Sequence, residues 1–244
     1  MQKDLNYRVS EKIFKQFPGY LRGVVVAQGV ANGESPPELV SKLRDTEKSI
    51  RDQLHPDTLI GHPNIVSWRE AYRTFGAKPG KFRSSVEAMV RRVLQGQNLP
   101  SINILVDIGN VISLRHLVPA GGHAIDVLTQ DLELRPATGE EEFTPFGSEK
   151  MEHPVPGEIV FVEGNEVLTR RWTWRQANHT LTLPETTAIE LNIDGLPPVG
   201  ESEIEAACSE ASELIEFYCG GNTHHQLLTQ ANPIIRLTGK GARS

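Results

Sequence analysis

The 244-residue chain is poorest in cysteine, in aromatic residues and in uninterrupted apolar stretches: two Cys, and 6% Phe, Trp and Tyr together. Each shortage excludes something. Cys208 and Cys219 fall on one expected helix, separated by about three turns or roughly 16 Å along its axis, too far for a disulfide. They read as core thiols. No apolar run approaches the ~18 residues that a membrane span requires. The opening MQKDLNYRVSEKIFKQF scatters charges where a signal peptide carries an apolar block. The expectation is a cytoplasmic protein with no membrane partner.

An excess of cations is missing too. A net charge of −6 argues against non-specific duplex binding, which rests on summed cationic contacts, so DNA is not an expected partner. Two local basic groups remain: Lys78, Lys81, Arg83, Arg91 and Arg92, and then Arg170, Arg171 and Arg175. Each reads either as solvated surface or as a patch facing an anion. Period-two alternation through RWTWRQ sends Arg171 and Arg175 to one face, and Arg170 to the other with Trp172 and Trp174.

What is present is an ordinary globular composition, 38% hydrophobic and 23% charged, long enough to bury a substantial core. No repeat or low-complexity linker interrupts it, so one domain over 1–244 is expected. YLRGVVVAQG (20–29) predicts a buried strand. SPPELVSKLRDTEKSIRDQL predicts a helix capped by Ser35, with Pro36 at its first position. Ile65, Trp68, Tyr72 and Phe75 recur at helical spacing. SSVEAMVRRVLQG predicts a helix with Ser84 as cap, Glu87 completing a capping box, and Gly96 as terminator. LPSINILVDIG reads as the central strand, followed by strands at 131–135, 158–163, 167–174 and 186–193. ESEIEAACSEASELIEFYCGG predicts the last helix, with Ser202 and Glu205 as its capping box and Gly220 as its stop. A helix-rich 1–100, a strand-rich 100–195 and a helix over 200–220 point to an α+β fold.

The common catalytic signatures are absent: no G-x-S-x-G elbow, no Walker A loop, no H-E-x-x-H and no paired C-x-x-C. His224 and His225 sit near a helix end and point apart, and His116, His153 and His179 stand alone, so no metal site is expected. Two places combine chemistry with position. Ser84 and Ser85 follow a basic stretch and open a helix, where they either cap it or hold an anion beside Arg83. His123 follows Pro-Ala-Gly-Gly, where a backbone can approach a ligand closely. There it either donates a hydrogen bond and positions water, or is satisfied within the core.

INILVDIGNVISL, GGHAIDV and LELRPATGEEEF together resemble the B3/B4 domain of the phenylalanyl-tRNA synthetase beta subunit. That pattern has an Asn, then Val-Asp-x-Thr-Asn, then Gly-Gln-Pro-x-His-Ala-Phe-Asp, then Arg-x-Ala-x-x-Gly-Glu. Asn103, Val106, Asp107 and Asn110 match the first part, His123, Ala124 and Asp126 the second, and Arg135, Ala137, Gly139 and Glu140 the third. TTAIELNI (186–193) resembles a later segment. The matched region runs from about residue 100 to 195. Departures are Gly109 for the family's Thr, a turn two residues longer before His123, Asn192 for a Glu, and RWTWRQ for a Met-Gly-Gly loop.

The resemblance implies an α+β, B3/B4-type fold, with helices and a mixed β-sheet core in layers. In the synthetases this domain is the editing site, so it further implies a free-standing aminoacyl-tRNA deacylase acting in trans, with mischarged tRNA as partner and no cofactor. His123 becomes the catalytic candidate. Ser84, Ser85, Asn110, Ser113, Gly121, Gly122, Asp126 and Asn192 become substrate-binding candidates, and Arg83, Arg171 and Arg175 tRNA-binding candidates. The alternative is a non-catalytic module of the same fold that holds tRNA, an amino acid or a small carboxylate. Oligomeric state and the amino acid recognised stay open.

Overall fold

The computed structural model describes residues 5–237. It opens with a short strand, β1 (Asn6–Val9), and a helix, α1 (Glu11–Gln16). β2 (Leu21–Gln28) follows and is buried through Ala27, as its β-branched run predicts. Three helices come next: α2 (Pro37–Gln53), α3 (Pro63–Thr74) and α4 (Ser85–Leu94). Then come α5 (Ile104–His116), β3 (Ala120–Ala124), β4 (Leu132–Pro136), β5 (Ile159–Glu163), β6 (Glu166–Arg170), β7 (Arg175–Gln176) and β8 (Ala188–Gly195). α6 (Glu201–Cys219), β9 (Asn222–Leu228) and β10 (Ile234–Arg236) complete the order. No described helix is long and apolar enough to cross a membrane.

The strands form two sheets, in orders β10-β1-β4-β5-β6-β7 and β3-β8-β2-β9. The larger is mixed, because β1 and β4 run parallel while its other pairs are antiparallel. The smaller is antiparallel throughout. One face of the small sheet carries Val25, Ala27, Ile189, Leu191 and Ile193 into a core with Leu105, Ile108 and Ile112 of α5 and Ile204, Ala207 and Ala211 of α6. Its other face meets the large sheet, where Tyr7 and Phe161 pack at 4.8 Å. The architecture is therefore mixed α+β in layers, helices on sheet on sheet.

Several expectations are corrected. The stretch expected as the central strand, LPSINILVDIG (99–109), is irregular up to the N-cap Asn103 and then forms the first turns of α5. Asn103 Oδ1 accepts from the Val106 amide at 3.0 Å, which is N-cap geometry. Ile104, Leu105, Ile108, Val111, Ile112 and Leu114 are buried around the helix. A helix buried on nearly every side has no apolar stripe, so its β-branched run is indistinguishable from a core strand by pattern. Further on, the Gly-Gly stretch forms β3, an edge strand, instead of a turn. The run 167–174 breaks after Arg170, with Arg171 and Trp172 in the left-handed region at φ 46° and 64°. That conformation is unfavourable for a bulky residue by about 1–2 kcal/mol, and burial offsets it. Trp172 packs edge-on to Phe17, Tyr20 and Trp68 at 4.7–5.1 Å.

Caps shift as well. Pro36 is the N-cap of α2 and Pro37 its first residue, while Ser35 Oγ donates to Asp107 Oδ2 at 2.7 Å. α6 starts after Gly200, whose amide donates to Glu203 at 2.8 Å; Glu205 instead pairs with His225 at 3.3 Å. Ser84 does cap α4, accepting from the Glu87 amide at 3.5 Å, but the Glu87 carboxylate turns to Arg69 and Arg91. His224 and His225 lie in β9, not at a helix end. His116 and His179 are not alone, pairing with Glu210 at 2.9 Å and Glu163 at 2.7 Å.

Candidate functional site

β8 reads Ala-Ile-Glu-Leu-Asn-Ile-Asp-Gly, and period two separates its apolar from its polar residues. Ile189, Leu191 and Ile193 face the helices. Glu190, Asn192 and Asp194 face the large sheet, and all three are buried. Polar groups buried in a row are unfavourable unless hydrogen-bonded, and here each has partners. Asp194 accepts from Arg22 Nη1 at 2.9 Å, its cross-strand neighbour on β2, and from the Tyr20 hydroxyl. Asn192 Oδ1 accepts from Arg22 Nε at 3.0 Å and Tyr7 OH at 2.9 Å. Its Nδ2 donates to Glu190 Oε1 at 2.9 Å. Glu190 Oε1 also bonds His123 Nδ1 at 2.8 Å, and His123 Nε2 meets Thr169 Oγ1 of β6 at 2.9 Å. Glu190 Oε2 is buried and has no hydrogen-bond partner among the described residues.

The surroundings act on these groups in different directions: burial raises the Asp194 pKa, against the opposing pull of Arg22 and Tyr20. Burial works against ionisation of Arg22, but Asp194 foremost, with Tyr7, Tyr20 and Glu190, raises its pKa well above the usual value, so it stays a cation. Burial pushes the Tyr20 and Tyr7 hydroxyls upward, keeping them protonated donors. Burial also pushes the Cys208 thiol up to about 12, with Glu205 contributing, and Cys219 up to about 11. Both cysteines are free and buried, and neither is a thiolate at neutral pH.

Asn192 and Asp194 of this row, with Arg22, floor a cavity of about 540 Å³. β3 is the edge of its sheet, and the cavity wraps round that edge. Asp194 N donates to Pro119 O and Ile125 N to Ala188 O, both at 2.9 Å, so residues 119, 121, 123 and 125 bond to β8. The amides of Ala120, Gly122 and Ala124 point the other way. Ala124 N reaches Thr180 O at 3.1 Å and Gly122 O receives Gln176 Nε2 at 3.2 Å, leaving the Gly122 N–H on the open edge. Gly121 and Gly122 keep that edge thin. A Cβ on Gly121 would meet nothing within 4 Å, whereas one on Gly122 would sit 2.6 Å from Ile189 Cδ1. Apolar walls come from Leu105, Phe161, Trp172, Trp174, Ile189 and Leu191.

Of the expected site residues, His123, Ser85, Asn110, Gly121, Gly122, Asn192 and Arg175 line this cavity. The others lie outside it. Ser84 is buried as the α4 cap. Ser113 donates to Val118 O at 2.5 Å, closing the left-handed turn after α5. Asp126 accepts from the amide and hydroxyl of Thr187 at 2.7 and 2.9 Å, tying two loops together. Arg83 is exposed on the surface. Arg171 does not share a face with Arg175 by strand alternation, because the strand has ended. Its guanidinium lies over Phe82 at 3.7 Å and Trp174 at 4.5 Å and pairs with Glu158. Burial lowers its pKa, with Glu158 acting in the opposite direction. Arg170 is buried against Glu158 at 2.8 Å and Glu152 at 2.7 Å. Arg22, Thr169, Glu190 and Asp194 were missed. The alternation of Glu190, Asn192 and Asp194 between aliphatic residues was the available signal for two of them.

A concave, largely apolar space with a few oriented polar groups has the general form of a ligand-binding site. The chain belongs to the B3/4 domain family, whose pattern matches residues 67–220. No curated protein matches the sequence. Among solved structures it is similar to an N-terminal fragment of the phenylalanyl-tRNA synthetase beta subunit from Pyrococcus horikoshii, at 11% identity and a TM-score of 0.47. That similarity covers 91% of this chain and 51% of the fragment, so the chain spans about half the fragment's length.

Proposed function

We propose that the chain is an aminoacyl-tRNA deacylase of the editing type, acting in trans on the ester of a mischarged tRNA. The observation that carries this reading is His123 held at a glycine-thinned sheet edge, inside a largely apolar cavity with Arg175 at its mouth. Phe82 of the 78–83 stretch stacks with Arg171 and lies 4.9 Å from Trp174, so Lys81 and Arg83 come beside the turn that carries Arg175. Such a mouth suits the phosphates of an acceptor end. The cavity takes the amino acid, and the Gly122 amide supplies a donor for the oxyanion that develops at the ester carbonyl. An aminoacyl ester is already activated, so positioning carries much of the rate. Incubation with a panel of mischarged tRNAs tests the reading. Release of the amino acid from at least one, well above spontaneous hydrolysis, is expected; no release from any would overturn it.

A second reading is favoured by the Arg22–Asp194 pair at the cavity floor, which offers hydrogen bonds without chemistry. In it the domain holds tRNA, a free amino acid or a small carboxylate and performs no hydrolysis. Protection of the protein by tRNA with no turnover on the same panel is its signature.

A further inference from the structure

We propose that Thr169, His123 and Glu190 form a nucleophilic triad, and that Thr169 Oγ1 is acylated during ester hydrolysis. The inference rests on the hydrolase reading of the same cavity and adds the group that attacks. Three side chains far apart in sequence, on β3, β6 and β8, make an unbroken line: Glu190 Oε1 to His123 Nδ1 at 2.8 Å, and His123 Nε2 to Thr169 Oγ1 at 2.9 Å. A carboxylate, an imidazole and a hydroxyl in this order are recognised by geometry, not by sequence position.

The direction of proton donation along the line follows from its far end. Arg22 has only donors, so its Nε fixes Asn192 Oδ1 as the acceptor and turns Asn192 Nδ2 towards Glu190 Oε1. Glu190, as carboxylate, only accepts. His123 therefore carries its proton on Nδ1, presents a lone pair at Nε2, and takes a hydrogen bond from Thr169. That is the tautomer a general base requires. Glu190 Oε2 has no hydrogen-bond partner among the described residues. His123 and Thr169 both line the cavity, and Asn192 does as well.

The step balances without any co-reactant other than water. Thr169 Oγ1 attacks the ester carbonyl carbon and its proton passes to His123 Nε2. The bond from that carbon to the ribose oxygen breaks, and the proton moves from His123 to the departing ribose hydroxyl. Water then attacks the acyl-threonine, giving a proton to His123 Nε2. That proton returns to Thr169 Oγ1 as the free amino acid leaves. Glu190 and Asn192 touch no reacting atom and act as positioning residues.

The test separates this triad from the hydrolase reading by using p-nitrophenyl acetate, an activated ester that needs no tRNA. The full chain is mixed with it, quenched in acid and mapped by peptide mass spectrometry. The expected result is a burst of p-nitrophenolate and an acetyl group on the peptide containing Thr169, absent in Thr169→Val and His123→Ala. No burst and no adduct, or an adduct on another residue, would overturn the triad. On a mischarged tRNA that the wild type hydrolyses, Thr169→Val is expected to lose about 10³-fold in kcat, with Thr169→Ser recovering most of it. Unchanged turnover in a folded Thr169→Val protein would overturn the triad and leave the hydrolase reading standing. Glu190→Gln is expected to lower kcat with KM unchanged, and Glu190→Asp to recover part of the loss. Equal activity in Glu190→Gln and wild type would remove Glu190 from the triad.

Discussion

Glu141 shows how one carboxylate organises a loop. It accepts the Thr138 and Gly139 amides at 2.9 Å and is paired with Arg135. Burial alone would raise its pKa, but these donors outweigh it and hold it at about 2, against an ordinary 4.5. A depressed folded-state pKa means the fold favours the ionised form. Its stabilisation is complete above about pH 4.5 and is lost as pH falls towards 2. Glu141→Gln is therefore expected to lower the melting temperature at neutral pH and to flatten the acid limb of the stability profile; an unchanged acid limb would contradict this role. His123 is the second residue-scale case. His123→Ala removes hydrogen bonds to Glu190 and Thr169, at about 1–3 kcal/mol of stability. On a mischarged substrate it is expected to lower turnover by about 10- to 1,000-fold. Paired melting and deacylation measurements separate the effects, and full activity in a destabilised variant would end the case for a catalytic His123.

β3 matters as an element because its two glycines have different duties. An Ala at 122 places Cβ 2.6 Å from Ile189 Cδ1 and 3.2 Å from Glu190 O, whereas Gly121 has open space. Overpacking of that kind destabilises by about 1–3 kcal/mol. Gly122→Ala is expected to melt lower than wild type, and Gly121→Ala to melt like it while narrowing the cavity. Equal melting of both variants would refute the steric account. α5 is the corresponding case among helices. Asn103 caps it and also donates to Thr182 O at 2.8 Å, while Asp107 accepts from Ser35 Oγ and the Ile102 amide. The opening of one helix thereby ties down three loops, two of which, carrying Ile102 and Thr182, line the cavity.

At the scale of the whole molecule, a chain of net charge −6 sets two basic segments side by side. The 78–83 stretch and the 171–175 turn are far apart in sequence and joined through Phe82, Arg171 and Trp174. Arg83→Glu with Arg175→Glu is expected to weaken tRNA binding at low salt. It should also reduce the slope of log affinity against log salt by about 0.7 for each lost contact to a single-stranded end. Filter binding across a salt series measures both, and unchanged affinity would remove these segments from the binding surface.

The sequence by itself determined the α+β class, most helices, β2, β4, β5 and β8, because these elements carry local signals: apolar stripes, β-branched runs and breakers at their ends. It also pointed to His123 through a family-like pattern, to Asn192 as a departure from that pattern, and to the two glycines through the backbone freedom of Pro-Ala-Gly-Gly. Only tertiary structure decided that residues 104–116 are helix, since a segment buried all round has no period to read. The turn after Arg170 is likewise decided by the burial of Trp172. The polar line through Arg22, Asn192, Glu190, His123 and Thr169 comes from β2, β8, β3 and β6, joining residues up to 170 positions apart. No local pattern can encode that proximity, because it exists only once two sheets face each other and exclude water from the groups between them.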